Sequence, residues 1–355
     1  MEFRAAHRSE RDEVLDLLAL WYNDRAFFAL YNQNDPTFRD DLCLVAVDNG
    51  HIISTVQIFD RRLNFSGQPV PMGGIGSVFT REDYRHRRVA SQLMRFAVTT
   101  MKRERFEISL LFAERLSFYN QFGWREVGRK FSVLVQAAQI AAPLDIEVDA
   151  FDEARDLDAI AAIHRSYSGR FNVTAVRDNE AWRSNLIFAG NQPLHPGEGS
   201  KEYFVVARRA GAAPIAYARV TRFYGVAMVM EYGYRPESIA ELLALFRHLG
   251  EVAIGAPSSF RLRGDHRRAA LLKSNHPEAA PGVIVTHSAH DPALEEHVKA
   301  GNCPVMYHPD NFYMWRVISP SLLAKRLDVA PERAEQRMLE MVKSDASLFW
   351  TSDRF

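Results

Sequence analysis

Apolar residues return at Val89, Leu93, Phe96, Ala97 and Met101, the spacing that lines one face of a helix, and this predicts a helix over 88–102. The stretches before it keep a different rhythm. Cys43 to Val47, Ile52 to Phe59 and Val70 to Thr80 read as strands, the first two joined by the turn Asp48-Asn49-Gly50. Behind the helix come a strand in FEISLLFA at 106–113, a helical turn in RLSFYNQF closed by Gly123, and a strand from Lys130 to Val135. Strands and helices intermingled in this order predict a mixed α/β fold.

The pattern then starts again. Residues 3–22, FRAAHRSERDEVLDLLALWY, and 146–165, IEVDAFDEARDLDAIAAIHR, each read as a short strand, a charged loop and an amphipathic helix, with Val14 and Leu17 matched by Leu157 and Ile160. A repeat this long suits duplicated domains rather than a solenoid. Ala141-Ala142-Pro143 breaks local structure at the junction. The second half has strands near 203–209, 214–222 and 226–234, a helix at 237–249, and loops rich in Pro and Gly at 189–200 and 274–282. A last strand, YMWRVI, precedes two short helices. The expected division is 1–138, 139–318 and a helical tail, 319–355.

Length and charge narrow the function. At 355 residues and 47% hydrophobic content, the chain can bury more than one core. Forty-four basic and 44 acidic residues cancel, which argues against nucleic acid and against a polybasic membrane surface as partners. Cys43 and Cys303 are too far apart in sequence to suggest a disulfide framework or a metal site. The opening MEFRAAHRSERDEV has no apolar signal core, and no run of about 18 apolar residues occurs, so a cytoplasmic location is expected.

Local charge restores a candidate site. Arg85, His86, Arg87 and Arg88 lie between the strand ending at Thr80 and the helix beginning near Val89. The first backbone N–H groups of a helix lack intrahelical partners and carry the positive end of its dipole, so cations there are unfavourable until an anion joins them. A strand, a basic loop and a helix N-terminus form a reasonable cradle for a diphosphate.

These elements, with R-H-R-R-V-A at 85–90 and FYNQFGW at 118–124, resemble the GNAT acetyltransferase superfamily. Its acyl-CoA signature is Arg/Gln-x-x-Gly-x-Gly/Ala, followed later by Phe-Tyr-x-x-x-Gly-Phe. The match covers about residues 3–138, and Arg88 stands where the family has its first glycine. The duplicated half, NFYMWRVISPSLL and the final Phe355 sharpen the likeness to the tandem-GNAT, enhanced-intracellular-survival (Eis) type.

The resemblance implies two modules, each a mixed, mostly antiparallel twisted sheet flanked by helices, with the second module degenerate and the sterol-carrier-like C-terminal domain of that type absent or reduced. It implies acetyl-CoA-dependent N-acetyl transfer to a primary amine of a small molecule or an exposed lysine, by direct attack in a ternary complex. Acetyl-CoA would lie along the main chain of Val78, Phe79 and Thr80 and on Arg85, His86, Arg87, Arg88, Val89 and Ala90. Tyr119 would protonate the leaving thiolate, and the terminal carboxylate of Phe355, fed into the first module's cleft, would draw a proton from the amine. A non-catalytic acyl-CoA sensor and a transferase of another acyl group stay open, as does a homo-oligomer.

The acceptor side is read from residues 19–38, where Trp21, Phe28 and Asp24 have the composition to hold an ammonium by ring faces and a carboxylate. No metal is expected, because His287, His290 and Glu296 sit in a Pro-containing stretch read as a surface loop with no helix to aim both imidazoles.

Overall fold

The computed structural model describes the chain except residues 23–24, 114, 135–136, 192–202, 224–225, 255–283, 287–290, 302, 311 and 354–355. The first sheet comprises β1 (Glu2–Ala5), β2 (Cys43–Asp48), β3 (His51–Phe65), β4 (Gln68–Thr80), β5 (Ile108–Phe112), β6 (Arg125–Glu126) and β14 (Tyr313–Val317), in the order β1-β2-β3-β4-β5-β14-β6. The second comprises β7 (Arg129–Leu134), β8 (Glu147–Ala150), β9 (Tyr203–Arg208), β10 (Ala216–Phe223), β11 (Val226–Tyr234), β12 (Ile284–Thr286) and β13 (Val305–Asp310), in the order β13-β7-β12-β11-β10-β9-β8. Read from the other end, the second order repeats the first place by place. Each sheet has one parallel pair, β4–β5 and β11–β12, among antiparallel neighbours.

The repeat is not contiguous in sequence. β7, expected within residues 1–138, lies in the second sheet, and β14, expected within 139–318, lies in the first. β14 fills the edge of β5, and β7 fills the corresponding edge of β12. Each module thereby covers an edge whose N–H and C=O groups would otherwise invite pairing with another chain. A strand's apolar alternation sets which faces it buries, not which sheet it joins, so the exchange corrects the simple division at 138 and 318.

Helices cover both faces of the first sheet. On one face α3 (Val89–Arg103) buries Val89, Leu93, Ala97 and Met101 against Leu44, Val56, Ile58 and Ile75. Each of these side chains except that of Ala97 contributes roughly 1.5–3 kcal/mol on burial. On the other, α1 (Arg11–Tyr22) packs Val14, Leu15 and Leu18 with Val45 and Phe79, joined by Phe28 from α2 (Arg25–Asn34). A short α4 (Leu116–Asn120) follows β5, and Gly123, at φ +89°, turns the chain away where a side chain would be strained.

The second module carries α5 (Glu153–Ser168), α6 (Asn179–Asn191), α7 (Ile239–Ile254) and α8 (Pro292–Ala300). Glu296 therefore lies in a helix, not a loop: Pro292 occupies its first turn and the Asp291 side chain caps it. His287 and His290 lie outside the described residues. No metal-binding group of side chains occurs among the described residues, and no helix there is long and apolar enough to cross a membrane.

After α9 (Pro320–Leu327) and α10 (Ala334–Lys343), the chain runs as a strap between the modules. Phe349 enters a core of the first module, whereas Leu348 and Trp350 enter the core of the second. Asn172 donates its N–H to Ala346 and accepts from the N–H of Leu348, while Val173 and Thr174 bond to Asn64 of β3. Loop 171–176 is thus laced between β3 and the strap.

The strap ends in a buried ionic cluster. Arg177 donates to Glu231 at 2.7 Å and to Asp353 at 2.8 Å. Glu231 also accepts from Ser352, from Tyr217 at 2.7 Å and from Arg219 at 3.4 Å. Burial alone would raise the Glu231 carboxyl, but Arg177 and Arg219 outweigh it and hold it below the usual range. His164 stands edge-on to Trp182, and its buried Nε2 has no hydrogen-bond partner. Burial, reinforced by Arg177, lowers its pKa to about 3.

An unfolded histidine titrates near 6.5. Below that pH the unfolded chain binds a proton that folded His164 does not, so this contribution to stability is complete above about pH 6.5 and declines as the pH falls toward 3. Urea unfolding between about pH 7 and pH 5 should give His164→Leu a flatter stability profile than the parent chain, by at most about 1.4 kcal/mol per pH unit. An equal slope in both would show that His164 is not held neutral.

Candidate active site

The site begins where β4 leaves its neighbour. Parallel pairing with β5 ends at Ile75 opposite Leu111, while antiparallel pairing with β3 continues to Thr80. Gln57 pairs with Gly76 and Thr55 with Phe79, so Ser77 and Val78 together oppose Val56. This is a β-bulge, with Ser77 at φ +49°. The bulge bends β4, and on its β5 side the main chain from Gly76 to Thr80 has no strand partner among the described residues. A gap therefore opens at the carboxyl ends of two parallel strands, where an extended ligand can hydrogen-bond as an added strand would.

The two segments leaving those ends flank the gap. After β4 a turn, Glu82–Tyr84, leads to Arg85, His86, Arg87 and Arg88, all exposed, and then to Val89 and Ala90 in the first turn of α3. Arg88 is the N-cap, at φ 60° and ψ 17°, and its side chain caps nothing. The left-handed backbone there gives a second reason for glycine in the family signature, besides close approach to phosphate. Arg87 lies over the ring of Tyr84, 5.0 Å from its centre, and the Tyr84 hydroxyl donates to Asp48 at 3.0 Å, which fixes the turn. Arg85 stands 3.8 Å from the Glu82 carboxylate, an exposed pair of little energetic weight. Cations, the N–H groups of α3 and its dipole share one small region, as an anion site requires.

From the other strand the chain continues into α4, which carries Tyr119. It is half-buried and edge-to-face with Phe118, whose ring centre is 4.9 Å away. Tyr119 and Val78 both pack on the α3 core, whereas Phe79 joins the α1 core on the other face of the sheet. Val78 and Phe79 thus serve the core with their side chains, and what they offer at the gap is main chain.

The opposite face of the sheet holds two hollows along β3 and α2. The smaller, about 30 Å³, is lined by Ser77, Thr55 and Gln57 from the strands and by Leu18, Phe28 and Phe38. Phe28, expected at an acceptor pocket, is only 6% exposed and belongs to the core. Trp21 lies in α1, and Asp24 is outside the described residues. The larger hollow, about 560 Å³, lies between the modules and includes Asp35, Asp60, Arg61, Arg177, Asp178 and Asp353 in its lining. Burial raises the Asp60 carboxyl above the ordinary range, and burial likewise raises that of Asp353, whose Oδ2 has no hydrogen-bond partner. Phe355 lies outside the described residues, two positions beyond Asp353.

Sequence reasoning missed Ser77, although three glycines at 73, 74 and 76 in one strand are a usual signal of a bulge or a close backbone approach. It also missed Arg177 and Asp353, which no local pattern distinguishes from surface charges.

Residues 2–127 match the family described as acetyltransferase (GNAT) domain. Among solved structures, a GCN5-related N-acetyltransferase from Kribbella flavida is 18% identical, with a TM-score of 0.61 over 91% of this chain and 72% of that one. Eis1 from Mycobacterium abscessus is 14% identical, with a TM-score of 0.56 over 90% and 74%. A protein from Enterococcus faecalis V583 described as a probable N-acyltransferase is 13% identical, with a TM-score of 0.65 over 91% and 74%. These likenesses concern the fold. No curated protein matches the chain by sequence.

Arg88→Gly should relieve the left-handed backbone. A non-glycine residue there costs about 1–2 kcal/mol, and the greater unfolded-state freedom of glycine returns roughly half of it, leaving a net gain of about 0.5–1 kcal/mol. Urea unfolding showing no gain, or a loss, would mean that the Arg88 side chain contributes more than its backbone costs.

Proposed function

We propose, from the premise that residues 2–127 are a GNAT acetyltransferase domain, that the protein transfers the acetyl group of acetyl-CoA to a primary amine, in a ternary complex and with no acyl-enzyme. One observation carries this reading: β4 and β5 part after Ile75 and Leu111, and the basic turn before α3 stands at the same strand ends. Both thiols are buried, and burial raises the Cys43 thiol to about 12 and the Cys303 thiol to about 11, which suits neither to act as a nucleophile.

In this reading the main chain of Val78, Phe79 and Thr80 holds the pantetheine arm, and the amides from Arg87 to Ala90 hold the diphosphate with Arg85, His86 and Arg88. Tyr119 gives its phenolic proton to the CoA sulfur as the C–S bond breaks and the C–N bond forms. The inter-module hollow supports a small cationic amine as acceptor. Its lining carries five carboxylates, Asp35, Asp60, Asp178, Glu180 and Asp353, against three guanidinium groups, Arg61, Arg62 and Arg177. The proton lost by the amine goes to one of these carboxylates. A cytoplasmic setting without nucleic acid or membrane partners rests on composition and remains part of the proposal.

Calorimetric titration with acetyl-CoA tests the cradle. Arg85→Ala should bind about 1–3 kcal/mol more weakly with unchanged folding, and equal affinity would remove Arg85 from the site. Release of CoA with a panel of small amines tests the chemistry. Tyr119→Phe should lower kcat by about 10² or more, with KM for acetyl-CoA nearly unaltered. A fall of less than about threefold would return Tyr119 to a packing role, and no CoA release by the parent chain with any amine would favour the sensor reading.

A further inference from the structure

The small hollow under the β4 bulge has no part in the reading above. Its position relative to the bulge is informative. Ser77, a residue of the β4 bulge, forms part of its wall, so the hollow adjoins the sheet where a thioester lying along Val78 to Thr80 would present its acyl group. The remaining wall is mostly apolar: Leu18, Phe28, Phe38 and Phe59 surround it, with the Arg11–Asp40 ion pair at 2.7 Å on one side.

Packing fixes its size. Phe28 is buried in the α1 core and edge-to-face with Phe27, while Phe59 is packed by Phe27, Leu30 and Phe38. Phe59 lines this hollow, and the larger one lies further along β3. At about 30 Å³ it has room for two or three water-sized groups, since each takes about 10–15 Å³ on this measure. A methyl group, or a methyl and a methylene, fits. A longer chain meets the rings of Phe28 and Phe59, whose movement would disturb a close-packed core.

We infer that this hollow receives the acyl group carried by CoA, and that Phe28 limits the group to two or three carbons. The inference rests on the proposed function, because it needs the thioester at the gap. It assigns Phe28 to acyl selection rather than to the amine.

Binding of CoA, acetyl-CoA, propionyl-CoA and hexanoyl-CoA by calorimetry tests this without any amine acceptor. The parent chain should bind acetyl-CoA and propionyl-CoA at least about tenfold more tightly than hexanoyl-CoA, the scale on which a hydrophobic pocket reads added methylenes. Phe28→Ala should erase or invert that preference and leave CoA itself unaffected. Phe28→Leu, a milder change that keeps the core filled, should shift it the same way by a smaller factor. A parent chain that binds hexanoyl-CoA as well as acetyl-CoA, or a folded Phe28 variant with the parent's preference, would overturn the inference. Failure of every form, CoA included, to bind would instead overturn the proposed function beneath it.

Discussion

The bulge at Ser77 and Val78 is the constraint on which the rest depends. Parallel pairing of β4 with β5 stops at Ile75 opposite Leu111, and β5 itself ends one residue later, at Phe112. The extra residue bends β4 just beyond that point while β3 still holds it as far as Thr80, so the edge is held on one side and open on the other. Rigidity matters because main-chain binding has little side-chain selectivity to fall back on; it works when the donors and acceptors are already aligned. The α3 N-terminus and Tyr119 gain meaning from this gap.

The second module repeats the bulge. Opposite β10, Arg219 pairs with Glu231 and Val220 with Val229, so β11 carries its own extra residue at Met230. The region past its parallel pair is filled with protein. Trp350 packs on Tyr232 and donates to Ser168, and Tyr167 and Tyr234 both donate to Asp291. Beyond β11 the chain reads Arg235-Pro236-Glu237, which lacks the cation cluster of 85–88. This half instead anchors the strap, through Arg177, Glu231 and Asp353, and supplies one wall of the hollow between modules. Removing either partner from a buried pair of this kind typically costs about 3–5 kcal/mol, because an unpaired charge is left behind.

Much of this was legible in the sequence because periodicity reports burial. The face of α3, the strands from Cys43 to Thr80 and the repeated start at 146 stand where the pattern put them. Cations before α3 were legible as an anomaly of charge at a helix N-terminus. What periodicity could not reveal was neighbourhood: β7 and β14 have ordinary strand patterns, and nothing local says that they exchange sheets. Nor could it reveal backbone handedness at Arg88, or that Phe28 would be covered by α1. The Pro292 stretch read as a loop because proline usually breaks a helix, yet proline is well suited to its first turn.

Amide hydrogen exchange with and without acetyl-CoA tests the central claim most directly, since the claim concerns main-chain groups that every substitution but proline leaves in place. Binding along the opened edge predicts slowed exchange at residues 76–80 and 87–90, with no change at 231–234 of the second module. Acetyl-CoA bound at saturation with exchange at 76–80 and 87–90 unaltered would contradict the account.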